Sequence, residues 1–163
     1  MFENKVITDA GLELYAEAVS KTLTLTRVEI GSHYTPPDEL AALTVLEDVI
    51  KGVPITQSQV KIYDKVTEIW TQINNSGISE RAELRQVGIY AEVDSGEALF
   101  AVLQTGEYFP IQIPAQAAEM PTFTIDLSIP IAHGSAANVT AILDLSAYVT
   151  VGELEAAVRH LVI

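Results

Sequence analysis

The sequence predicts an α+β fold: a mostly antiparallel β-sheet or sandwich, an N-terminal helix packed on it, and a C-terminal coiled-coil-like helix leaving it. Three observations carry that prediction. Phe123, Ile125, Leu127, Ile129 and Ile131 share one parity, and Thr122, Thr124, Asp126, Ser128 and Pro130 share the other, a strict alternation that reads as a strand. Near the N-terminus, Leu12, Tyr15, Ala16 and Val19 fall instead at helical spacing. At the other end, Val151, Leu154, Val158 and Leu161 recur at the intervals of a coiled-coil seam.

Taken in order, Met1 to Lys5 leads directly into the first helix, which Thr8 or Asp9 is placed to cap. Leu23 to Ile30 is rich in Thr, Val and Ile and reads as a strand that Gly31 ends. Tyr34-Thr-Pro-Pro-Asp38 is a loop feeding a helical turn around Glu39 to Ala42, since proline is tolerated at the first helical position. Strands follow at Val49 to Ile55, Gln59 to Ile62 and Val66 to Ile73, and Asn74 to Gly77 makes a turn. Val87, Ile89, Ala91 and Val93 alternate with Gly88, Tyr90 and Glu92, which predicts a strand with one buried face. Asp94 to Gly96 turns the chain into Ala98 to Leu103, an apolar run expected to be covered on both faces. In the alternating strand, Pro130 offers no N–H and places that end at a sheet margin. A last strand is expected from Val139 to Leu145. Thr150 and Glu153 then have the spacing of a capping box, and the helix they open carries the seam flanked by Glu153, Glu155 and Arg159. The domain division is therefore 1–148 for the α+β body and 149–163 for the terminal helix, with Val151, Leu154, Val158 and Leu161 as the expected oligomer interface. Such a seam is too short to hold a bundle alone, so it calls for identical neighbours joined by more than itself.

Composition bounds the function. The 163 residues suit one domain with a real core, and 48% of them are hydrophobic, against disorder. Nine Lys and Arg against 22 Asp and Glu give a net charge of -13, which argues against nucleic acid and anionic membranes as partners. There is no Cys, hence no disulfide framework and no thiolate. The N-terminus lacks a signal-peptide pattern and no apolar run approaches membrane-spanning length, so a cytoplasmic site of synthesis is expected.

No constellation of catalytic residues emerges, and the expectation is a protein without enzymatic activity, cofactor or metal. Glu80, Arg81 and Glu83 read as a solvated charged patch. His33, His133 and His160 are scattered without metal-ligand spacing. Gly31-Ser-His33 lacks a nucleophile elbow, and Asp94-Ser-Gly-Glu97 reads as a tight turn, short of the ligands of a calcium loop. Trp70, Tyr63 and Tyr90 are the candidates for an aromatic platform, which gives the alternative reading: a carbohydrate-binding β-domain that recognises a host surface directly.

Several stretches, in order, resemble the N-terminal domain of bacteriophage tail-collar or tail-fibre proteins. They are Ile7-Thr-Asp-Ala-Gly-Leu12 followed by Leu23-Thr-Leu-Thr-Arg-Val-Glu-Ile-Gly31, then Leu84-Arg-Gln-Val-Gly-Ile-Tyr-Ala91 and Gly96-Glu-Ala-Leu-Phe-Ala-Val102. The most specific are Gly106-Glu-Tyr-Phe-Pro-Ile-Gln-Ile-Pro114 and, after the alternating strand, Ser135-Ala-Ala-Asn-Val-Thr-Ala141. The resemblance covers nearly the whole chain and lies in the order and spacing of motifs that are individually weak. It implies a structural virion protein made in a bacterial host: the base of a tail fibre, or of a phage-tail-like particle, located in the tail baseplate. Domain 1–148 would then be the baseplate-attachment domain and 149–163 the start of a fibre stem. Its implied partners are a baseplate protein, a downstream fibre or receptor-binding protein, and copies of itself. Val at a and Leu at d lean towards a dimer, while fibre precedent favours a trimer.

Overall fold

A computed structural model of the chain describes residues 2–19, 21–61, 66–94, 96–117, 121–132 and 138–143. Its elements are β1 (Phe2–Ile7), α1 (Asp9–Glu17), β2 (Thr22–Gly31), a 3-10 helix (Pro37–Ala42), β3 (Val49–Val53), β4 (Ile55–Lys61), β5 (Val66–Asn74), β6 (Ala82–Leu84), β7 (Gln86–Val93), β8 (Gly96–Thr105), β9 (Ile111–Ile113), β10 (Thr124–Ala132) and β11 (Asn138–Ala141). The larger sheet runs β1-β8-β7-β2-β11, with β3 also on β2; the smaller runs β10-β5-β4, and β6 pairs β9. All pairings are antiparallel except β11 on β2, which is parallel from Asn138↔Thr22 to Ala141↔Leu25.

The expected α+β class is overturned. Among the described residues the protein is mainly β, with one α-helix of nine residues and a 3-10 helix of six beside eleven strands. The helix is an accessory to a sandwich, too small to form a layer. The expected C-terminal coiled-coil helix, with its Thr150/Glu153 cap, its seam Val151, Leu154, Val158 and Leu161, and the 148/149 boundary, lies outside the described residues.

The core explains the sandwich. Leu23, Leu25, Val28, Ile30, Val87, Ile89, Phe100 and Leu103 of the larger sheet meet Ile55, Ile69, Ile73, Ile129 and Ile131 of the smaller in one buried cluster. Pro54, which cannot donate to a ladder, ends β3 on the larger sheet and starts β4 on the smaller, so the expected strand Val49 to Ile55 is divided between two sheets. Lys51 ties the layers together there: its Nζ donates to Asn74 O at 3.1 Å, Asn74 Oδ1 at 3.3 Å and Ser76 O at 3.0 Å.

Three further expectations need correction. Phe2 to Ile7 is an edge strand, where a lead into the helix was expected. Strand β7 is buried on both faces, because Leu40 and Leu46 of the 37–48 stretch cover Tyr90, Leu99 and Val102 on the outer side of the sheet. The helix turns a different face inward: Gly11, Leu14 and Ala18 are buried, whereas Leu12 and Val19 are 55% and 51% exposed. Thr8 sets that phase. Its Oγ1 accepts from Gly11 N at 2.9 Å and donates to Leu99 O, fastening the first turn to β8.

Candidate docking surface

The residues singled out for chemistry are dispersed. Glu83 donates nothing to a cleft: its carboxylate pairs with Arg85 Nη2 at 2.9 Å and accepts from Gln112 Nε2 at 3.4 Å. The hydrogen bond from Arg85, with Gln112 assisting, holds it below the usual carboxylate pKa, the opposite of what a general acid needs. Glu80 and Arg81 are exposed beside it. His33 lies between two carboxylates, Nε2 to Glu47 at 3.2 Å and Nδ1 to Asp48 at 3.3 Å. The acids occupy opposite ring nitrogens, so they cannot chelate one ion together with the imidazole. Among the described residues no group of three His, Asp or Glu side chains could hold a metal. His133, His160 and Tyr63 lie outside the described residues.

The aromatic platform is not assembled from the described members. Trp70 alternates with the buried Ile69 and Ile73 and so faces out of the smaller sheet, half-buried. Tyr90 is buried on the outer side of the larger sheet, with the Arg27 guanidinium 3.7 Å from its ring centre. The two rings therefore stand on opposite sides of the sandwich.

A different pair of aromatics is presented to solvent. After β8, Gly106 to Phe109 closes a turn through Phe109 N donating to Gly106 O at 3.1 Å. On it Tyr108 is 81% and Phe109 76% exposed, the most exposed large apolar side chains among the described residues. Unfavourable exposure on that scale, roughly 2 kcal/mol per ring against burial, is normally relieved by a neighbour. Here it is sustained by a rigid mount. Arg85 Nε donates to Glu107 O at 3.1 Å and Nη1 to Ser32 O at 3.1 Å, while Arg85 O accepts from Thr105 N at 2.9 Å. Gly106 lies under the exposed Glu3 side chain, whose Oε1 would be 2.8 Å from a Cβ there and would have to swing aside. Behind the turn a buried amide network locks the adjoining loop. Gln104 Oε1 accepts from Thr35 N at 2.9 Å and Gln86 Nε2 at 2.8 Å, and Gln104 Nε2 donates to Thr35 O at 2.8 Å.

The turn is a preorganised aromatic knob set among acids, with Glu3 against Gly106 and Glu107 on the turn itself. Aromatic side chains on a backbone held in this way are the type that dominates protein interfaces, because the main chain has little conformational entropy left to lose on binding. In the sequence this stretch stands out for its resemblance but not for its exposure. Tyr and Phe default to a core, and only the Gly106 and Pro110 brackets hint at a projecting turn. No family model, curated protein or solved structure matches this chain.

Proposed function

We propose that this protein is a structural docking component, the base of a bacteriophage tail fibre or of a phage-tail-like particle. It binds a baseplate protein, associates with copies of itself, a trimer being favoured, and carries a downstream fibre or receptor-binding protein. It is made in the bacterial host cytoplasm and resides in the tail. The ordered motifs between Ile7 and Ala141 support the reading at sequence level. The single observation that carries it is the mounted turn 106–110, where the most specific of those motifs coincides with the most exposed aromatic pair among the described residues. A docking function needs such a knob and needs no catalytic set. The acidic rim calls for a partner face bearing Lys or Arg.

The test is incorporation. A Tyr108→Ala/Phe109→Ala double variant removes side chains that touch no core, so its circular dichroism and thermal midpoint should match the parent. Its recovery in purified tail particles should fall at least about tenfold, the loss expected for an aromatic hot spot. Normal incorporation of the folded variant would overturn the reading.

A further inference from the structure

Among the described residues the sandwich is open along one side, where β1 is the edge of the larger sheet and β10 that of the smaller. Between these edges lies a cavity of about 150 Å³, walled by Phe2, Ile7, Phe100, Leu127 and Ile131 and also touched by Lys5. A recess of that size, mainly aliphatic and aromatic with Ser128 and Lys5 as its polar side chains, has room for a benzene-sized guest.

Lys5 is the informative residue. The register sets Lys5 opposite Leu103 and Val6 opposite Val102. Leu103 belongs to the core between the sheets and Val102 to the outer cluster, so Lys5 projects on the inner side, beside the apolar walls. It is nonetheless an exposed residue, so its stem follows the wall and its ammonium reaches the mouth. Lys21, Arg27 and Arg85 are each paired with carboxylates, whereas Lys5 has no such partner among the described residues. The net charge of -13 repels anions at long range, so any selection of an anion at this apolar mouth is local, from the Lys5 ammonium.

An added strand is a poor occupant. Strand β1 is interrupted by a bulge between Phe2 and Asn4 and carries Glu3 and Lys5, and β10 contains Pro130, which has no N–H to offer. A compact guest suits the space better. We propose that this cavity binds small free carboxylic acids with an apolar body of about six carbon atoms, the ring or chain filling the cavity and the carboxylate meeting Lys5 at the mouth.

Titration of the full chain with benzoate, benzyl alcohol and benzylamine, followed by two-dimensional NMR, tests the assignment. Benzoate should shift the resonances of Phe2, Ile7, Phe100 and Leu127 saturably and bind about fivefold more tightly than benzyl alcohol, with benzylamine weakest. Lys5→Met keeps the stem on a strand edge and should bring benzoate down to the affinity of the alcohol while leaving the alcohol unchanged. Absence of saturable shifts at those residues, or equal benzoate affinity in parent and Lys5→Met, would overturn it.

Discussion

At the scale of single residues, Gly11 decides how the helix meets the sheet. Glycine inside a helix is normally a liability, and replacing it with alanine normally gains about 0.5–1 kcal/mol. Here the sign reverses. A Cβ on Gly11 would sit 2.3 Å from Phe100 O, a backbone atom in the middle of β8 that cannot move aside alone. Gly11→Ala is therefore expected to lower stability by about 1–3 kcal/mol, as overpacking does, read as a reduced urea midpoint. Glu13→Ala, on the exposed side of the same helix, serves as the control and should leave the midpoint nearly unchanged. The same contact explains why periodicity chose a face rotated from the buried one, the two sharing only Tyr15, which packs against the core. Leu12, Tyr15, Ala16 and Val19 form a valid helical stripe, but the stripe actually buried begins at a residue with no side chain and runs through Gly11, Leu14 and Ala18. A hydrophobic count gives Gly11 no weight, although it is where the backbones approach most closely.

At the scale of elements, strands were readable wherever β-branched residues alternate: β2, β5, β7, β8 and β10 fall close to where the pattern puts them, and Pro130 does lie on an edge strand. What the pattern could not carry was partnership. Strand β1, with Glu3 and Lys5 among Phe2, Val6 and Ile7, has an edge strand's mixed composition, and β7 hides its outer face under a loop that no local signal announces. Nor does any periodicity say that the chain changes sheets at Pro54. That change is held by Lys51, which reaches from β3 to the turn after β5 and donates to three oxygens. Burial pushes its pKa below that of an ordinary lysine, so the ammonium is tolerated there only because those oxygens surround it. Lys51→Met keeps the apolar stem and removes the tie. It should cost about 1–2 kcal/mol and speed amide exchange between Asn74 and Gly77 while exchange within β7 and β8 is unchanged. Equal exchange in both regions would mean that the layers are joined by core packing alone.

At the scale of the whole molecule, charge and burial act in opposite directions, and their balance is visible at high pH. The net charge of -13 leaves the surface acidic, since Arg27, Arg85 and Lys21 are already engaged with carboxylates. The sequence revealed that acidity, and with it the kind of partner a docking turn would require; it did not reveal the turn. Two tyrosines oppose any further gain of negative charge. Tyr15 meets Phe100 edge-on at 5.0 Å in the core between the sheets, and burial pushes its phenol up to about 12. Tyr90 lies in the cluster on the outer side of the larger sheet, and burial, aided by a hydrogen bond with Glu29, raises it to about 12. In the unfolded chain both phenols ionise near 10. Between those values the unfolded state gives up protons that the folded state keeps, so stability is fully present below about pH 10 and falls as pH rises towards 12. Lys21 adds little to this slope, because its pair with Asp94 is an exposed one. Urea unfolding between pH 9 and 12 should show the decline, and Tyr15→Phe should flatten it by removing one of the phenols, whose hydroxyl has no hydrogen-bond partner to lose among the described residues. An unchanged slope in Tyr15→Phe would mean that general charge repulsion, and not the buried phenols on both sides of the larger sheet, limits the fold in alkali.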